Sequence, residues 1–198
     1  MSNKRTCVLV LVSLVLFGCA TQADEKTTMH IGVGTPEHYD VWVDEFVMRT
    51  SDGRQTKMSM GYVRCCWSGA DGPKGKGGPI TEIPSKISIE WYSFAENKTY
   101  EKTFSLPQNL GEKMTKPATY ETSLGKFERP RDILTVGLAP GGRVVIWIQN
   151  QIGNEIEVSR LKANELQGRT DRYPDLSKSY LRENSAYLEK HGIPTEGW

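Results

Sequence analysis

The sequence is short of the residues that most catalytic chemistry needs. It has four cysteines and three histidines in 198 residues. His30, His38 and His191 form neither a His-Glu-x-x-His pair nor a cluster with cysteine, so nothing in their spacing points to a metal site. There is no Gly-x-Ser-x-Gly turn to hold up a nucleophilic serine. A glycine-rich stretch at residues 68–79 falls short of a phosphate loop. Gly75-Lys76 is followed by Gly77 where Ser or Thr is required, Ala70 stands at the first glycine position, and Pro79 follows in place of a helix. No nucleotide and no cofactor is expected. Strong charge of either sign is also missing. With 25 basic and 24 acidic residues the chain carries +1, which gives no electrostatic case for nucleic acid.

Long apolar runs are missing too, with one exception. Lys4 and Arg5 precede an apolar run at residues 7–17, and Gly18-Cys19 closes it. A basic start, a short apolar stretch and small residues at the junction are the marks of a cleavable export signal. As a helix the run would be about 16 Å long, against a hydrocarbon core of about 30 Å, so it is too short to span. Loss of residues 1–18 removes Lys4 and Arg5 and no acid. The remaining chain, about 180 residues, suits one domain, and its 23 basic residues against 24 acidic ones leave −1. Residues 20–28 are polar and without apolar period and read as a tether. Residues 29–198 read as a single soluble globular domain.

Within that domain the cysteines are Cys65 and Cys66. An exported protein meets an oxidising compartment. Neighbouring residues make a poor disulfide, because a trans peptide holds their Cα atoms about 3.8 Å apart, below the usual span. On a strand their side chains point to opposite faces. The preferred reading is one buried small hydrophobe beside a shielded neighbour. A strained Cys65–Cys66 bridge comes second, and a metal site last.

What the sequence has in quantity is alternation. The fold is expected to begin near residues 29–33. Tyr39, Val41 and Val43 then alternate with Asp40, Trp42 and Asp44, which predicts a half-buried strand. Asp44 and Glu45 point opposite ways on it and are no cooperating pair. Ser51-Asp52-Gly53 marks a turn. Residues 57–67 read as a further strand, and residues 68–79 as a long surface loop that buries no face. Ile87, Ile89 and Trp91 share one side of a strand over residues 86–94, and residues 100–106 pair back as a hairpin. Residues 107–131 are polar with few signals beyond a short helix around Leu110 to Met114. Residues 133–138 and 144–148 flank Pro140-Gly141-Gly142, a strong hairpin signal. Residues 156–161 add a third strand. Leu176, Tyr180, Tyr187 and Leu188 fall on one helical face, with Asp175 to cap the start and Gly192 to end it. The expected fold is mainly β (α+β): an antiparallel sheet or β-sandwich with a C-terminal α-helix.

Leu16-Phe17-Gly18-Cys19 resembles the lipobox of bacterial lipoproteins, apart from Phe17, where a smaller residue is commoner. The resemblance implies that Cys19 becomes the lipidated first residue of the mature chain. Ala20, where aspartate would resemble an inner-membrane retention signal, implies the outer membrane, with the domain facing the periplasm. Beyond the lipobox, the Tyr39-Asp40-Val41-Trp42-Val43 strand resembles a family of uncharacterised bacterial lipoproteins, a domain of unknown function. So do residues 84–91 ahead of Tyr100, and the hairpin from Val136-Gly137-Leu138 to Val144-Val145-Ile146-Trp147. The family's association with phospholipase-type toxins of the type VI secretion system implies an immunity role: a lipid-anchored, non-catalytic inhibitor that binds a toxin encoded nearby. Trp67, Lys74 and Lys76 are the candidate partner-binding residues, with Trp67 as an interface anchor or a core residue. A housekeeping envelope lipoprotein with a scaffold or sensing role is the alternative. A hydrolase that pairs Cys65 or Cys66 with His30 or His38 has no local signature behind it.

Overall fold

The alternating stretches are strands in the computed structural model, which describes residues 28–65, 67, 76–151 and 153–198. In chain order the elements are β1 (Met29–Gly34), β2 (Val41–Arg49), β3 (Gln55–Lys57), β4 (Gly61–Val63), β5 (Lys76–Ile80), β6 (Lys86–Ser93) and β7 (Lys98–Ser105). They continue with α1 (Leu110–Thr115), β8 (Pro117–Thr122), β9 (Gly125–Pro130), β10 (Ile133–Ala139), β11 (Arg143–Gln149), β12 (Ile156–Lys162), β13 (Asn164–Glu165) and α2 (Pro174–His191). The export signal at 1–18, Cys19 and the tether as far as residue 27 lie outside the described residues, as do Cys66 and Lys74. No helix among the described residues is long and apolar enough to cross a membrane.

The strands form two large sheets and one small one. The first sheet runs β12-β11-β10-β1-β5, the second β13-β7-β6-β2-β3 with β4 also on β2, and β8 pairs with β9 alone. Ile31 and Val33 of β1, Leu134, Val136 and Leu138 of β10, and Val144, Ile146 and Ile148 of β11 meet Val43, Phe46, Ile87, Ile89 and Trp91 of the second sheet in one buried cluster. This is the sandwich core. The other face of the second sheet is buried as well. Tyr92 and Phe94 pack against Tyr180 of α2, with Trp42, Tyr62, Tyr173, Leu176 and Leu188 around them. The second sheet therefore lies between the first sheet and the helix, and Trp91 and Tyr92 are both buried although they face opposite ways.

Local chemistry explains the joints. Gly141 and Gly142 both take left-handed backbone between β10 and β11, with φ of 77° and 66°, which side chains resist. A Cβ on Gly142 would also lie 2.8 Å from the Tyr100 ring. α2 starts with Pro174 at its first position and Asp175 in its first turn. Its N-cap is Tyr173, which makes no side-chain cap bond. The expected Asp175 cap is thus corrected to a favourable charge at the helix N-terminus. Gly192, at φ 72°, ends the helix by donating its N–H to Leu188 O at 2.7 Å.

Four further expectations are corrected. β1 pairs with β10 in parallel, so hairpin turns do not account for every connection; all the other pairings are antiparallel. The expected 68–79 loop gives up its last four residues to β5, which lies antiparallel on β1 from Val33↔Lys76 to Met29↔Ile80. Backbone pairing needs no side chain, and a Cβ on Gly77 would lie 2.2 Å from Ile31 O. Of the single strand expected over 57–67, only β4 (Gly61–Val63) and Lys57, the last residue of β3, are strand among the described residues, each on β2. Residues 117–130, for which no element was expected, form the β8–β9 hairpin.

Candidate functional site

The first site grows from the link between β1 and β2. His38 takes left-handed backbone at φ 71°, and Asp40 follows it into the interior with 2% of its surface exposed. The Tyr62 hydroxyl of β4 donates to Asp40 Oδ2 at 2.8 Å, and Arg64 Nε stands 3.7 Å from the same oxygen. Arg64 also reaches Glu183 of α2 at 3.0 Å. His38 Nδ1 lies 2.9 Å from Asn184 Oδ1, whose amide donates to Tyr180 O at 3.0 Å. That network assigns the proton to Nδ1 of His38. The His38 ring stacks on Tyr187 at 3.8 Å, and Tyr187 stacks on His191 at 4.3 Å. The Tyr180 hydroxyl donates to His38 O at 2.6 Å. Together Glu37, His38, Asp40, Arg64, Cys65, Glu183 and Asn184 line a cavity of about 200 Å³, with Glu37 exposed at its edge.

Burial raises the Asp40 carboxyl above the usual carboxylate range, against the pull of the Tyr62 hydrogen bond and the Arg64 charge. Burial raises the Tyr62 hydroxyl too, and the neighbouring Asp40 carboxylate adds to it. Desolvation of an acid and a phenol in one place is a pattern often met in active sites. Here the groups face one another. Asp40 is taken up by Tyr62 and Arg64, Glu183 by Arg64, and His38 Nδ1 by Asn184. Cys65 is half-buried and disulfide-bonded, which corrects its preferred reading as a small buried hydrophobe. The structure does bring Cys65 and His38 to one cavity, but a sulfur held in a disulfide is no thiolate nucleophile.

A second polar cluster lies on the same side of the second sheet. Register shifts at Asp44, between Val43 and Glu45, and the bulge re-aims its side chain. Arg172 donates to Asp44 Oδ2 at 2.7 Å and to Glu90 at 3.2 Å. Arg169 pairs with Glu90 at 2.9 Å. The Tyr173 hydroxyl donates to Asp44; burial and that carboxylate push its pKa up to about 12. Glu45 points elsewhere, to Lys57 at 3.1 Å, as the strand reading required. Two acids are matched by two arginines, and the cluster docks the chain ahead of α2 onto β2 and β6. Among the described residues no group of three His, Cys, Asp or Glu is placed to hold a metal ion.

Of the residues singled out in the sequence, Trp67 is half-buried. It meets Trp147 edge-on at 4.9 Å and Trp198 at 5.7 Å. Trp67 and Trp147 both press on Gly137, where a Cβ would lie 2.3 Å from Trp147 and 2.9 Å from Trp67. Lys76 is exposed at the start of β5, the edge strand of the first sheet. His30 is exposed on β1 and is not among the residues that line the cavity.

A family model described as "Protein of unknown function (DUF2931)" matches residues 19–196. The chain belongs to this family. No curated protein matches it, and no solved structure does.

A surface of this family member that sequence reasoning missed is the β8–β9 hairpin. Every residue of β9 is exposed. Leu124, in the two-residue turn, is 87% exposed and Phe127 is 42% exposed. Tyr120 packs across the hairpin on Phe127 at 5.7 Å, with the Arg129 guanidinium 4.9 Å over its ring. The outer edge of β8 is covered by side chains from the β11–β12 connection. Gln151 exchanges two hydrogen bonds with the Glu121 backbone, at 3.0 and 2.9 Å, and Asn154 donates to Thr119 O at 2.9 Å. Buried Asn150 donates to Ala118 O and Arg129 O at 3.1 and 2.7 Å. The available signal was the alternation Lys126-Phe127-Glu128 after Gly125. It was hidden because neither face is apolar enough to read as a core strand.

Proposed function

We propose that the protein is a non-catalytic binding protein anchored to the outer membrane by lipid on Cys19, with residues 20–28 as its tether and its domain in the periplasm. As the lipoprotein resemblance implies, its partner is a phospholipase-type toxin of the type VI secretion system, and its role is immunity. The observation that carries the non-catalytic reading is the state of the cleft. The buried acid is paired with Tyr62 and Arg64, Nδ1 of the histidine is turned to Asn184, and the cysteine is held in a disulfide, which leaves no thiolate for the histidine to activate. The family match begins at residue 19, which suits Cys19 as the first residue of the mature protein.

The partner face in this reading is the end of the first sheet where Trp67 and Lys76 stand. Trp67 is half-buried on a tryptophan cluster, a pre-ordered anchor of the kind that dominates interfaces. Lys76 beside the open edge of β5 supplies a charge for an acidic group. A tether raises the local concentration of the binder at the surface that the toxin attacks.

The test is co-purification of the full chain carrying Cys19→Ser with the toxin-type protein encoded beside it. The reading expects a complex with a Kd on the order of 1 nM, weakened about a hundredfold by Trp67→Ala. A toxin that stays free of the chain removes the immunity role. A complex indifferent to Trp67 moves the interface elsewhere.

A further inference from the structure

The open edge of β9 carries a register of its own. In an antiparallel pair, residues alternate between those that exchange backbone hydrogen bonds with the partner strand and those whose backbone groups point away from it. On β8 the outward residues are Thr119 and Glu121, because Asn154 and Gln151 reach their backbone groups from outside the hairpin. Their cross-strand partners are Glu128 and Lys126. Lys126 and Glu128 therefore turn their N–H and C=O away from β8, on the side that no described element covers. Pro130, next in the outward series, has no N–H and closes the edge.

We propose that this edge pairs with the same edge of a second copy, antiparallel about a twofold axis at Phe127. The outward residues permit three symmetric registers. One centred on Lys126 sets lysine against lysine. One centred on Glu128 sets glutamate against glutamate and uses Pro130, which cannot donate. The register centred on Phe127 sets Lys126 against Glu128 of the second copy and Glu128 against Lys126 of the second copy. Both pairs then exchange backbone hydrogen bonds, and opposite charges face each other on one side of the sheet. Glu121 already lies across from Lys126 on that side, so the charges run acid, base, acid across the joint. On the other side Tyr120 and Phe127 meet their counterparts. Pairing covers Phe127, whose 42% exposure the monomer leaves open. β8 cannot serve in this way, because side chains already occupy its edge. The contact is small and belongs to the transient class of interface, so the test traps it covalently. It does not depend on the toxin reading, which uses another face.

Phe127 and Phe127 of the second copy form the non-hydrogen-bonded pair at the axis, where Cα atoms come about 4.5 Å apart. That spacing is close enough for a disulfide. Phe127→Cys in the full chain is expected to give a disulfide-linked dimer under mild oxidation. Leu124→Cys, far more exposed, is expected to give less. Adding Glu128→Lys to Phe127→Cys should cut the cross-linked fraction about tenfold, since lysine then faces lysine twice. Adding Lys126→Glu as well should restore it. An unchanged thermal midpoint in each variant shows that the fold is intact. Phe127→Cys that cross-links no better than Leu124→Cys, or a double charge swap that fails to restore the dimer, overturns the proposal.

Discussion

Asp40 sits where a carboxylate pays most for its charge. It is buried, and burial raises its pKa in the folded protein above the ordinary value. The folded state then binds a proton that the unfolded state has already released. The stability linked to that proton is full below the ordinary carboxylate pKa and is lost as pH rises through the folded value. Asp40→Asn keeps an acceptor for Tyr62 without the charge. Urea midpoints between about pH 4 and pH 7 should fall for the native chain relative to Asp40→Asn, whose profile is flatter. Asp52, held down to about 2 chiefly by its Thr50 and Arg54 hydrogen bonds, is common to both proteins and cancels. Equal slopes would show that Asp40 titrates normally. Gly137→Ala makes a second residue-scale test. The added methyl meets the Trp147 and Trp67 rings inside van der Waals distance, so denaturant unfolding should show a loss of about 1–3 kcal/mol, with a shift in tryptophan emission. Neither effect was legible in the sequence. The alternation put Asp40 on the face opposite Tyr39, Val41 and Val43. That face is covered by α2, over a hundred residues on, and no local pattern announces the cover.

At the scale of elements, hydrophobic period and turn chemistry made β6, β7, β10, β11, β12 and α2 legible, because each has a face that must be buried. The elements that escaped bury little, Ile80 in β5 and Ala118 in β8. β5 is held to β1 by backbone pairing through glycines that read as a loop, with only Ile80 at its end in the core. The β8–β9 hairpin is held by three amide side chains that have no period at all. This gives a prediction. Asn150→Ala removes the donors to Ala118 O and Arg129 O and should cost about 1–3 kcal/mol. Hydrogen exchange should quicken in β8 and β9 while β10 and β11 keep their protection. Uniform loss of protection would mean that the hairpin unfolds only with the whole domain. Tyr180→Phe deletes the hydroxyl bond to His38 O and should lower stability by about 0.5–1.5 kcal/mol, read by the urea midpoint. The ring packing on Phe94, at 5.6 Å, is kept.

For the whole molecule, the layers were legible in the residue pattern but their order was not. The prediction of a sandwich with a C-terminal helix holds. The parallel β1–β10 pair that closes the first sheet joins residues about a hundred positions apart and leaves no local trace. The candidate cleft was equally hidden. His38 and Cys65 could be named in the sequence, but Asp40, Tyr62, Arg64, Glu183 and Asn184 become one site only through the fold. There the acids, the arginine and the amide pair with one another and with His38. The most direct measurement is titration of the purified Cys19→Ser chain into the toxin-type protein encoded beside it, by calorimetry with a parallel assay of the toxin's phospholipase activity. Saturable binding with a Kd on the order of 1 nM and loss of toxin activity at one equivalent are expected. Heat-silent mixing with undiminished activity would contradict the immunity role.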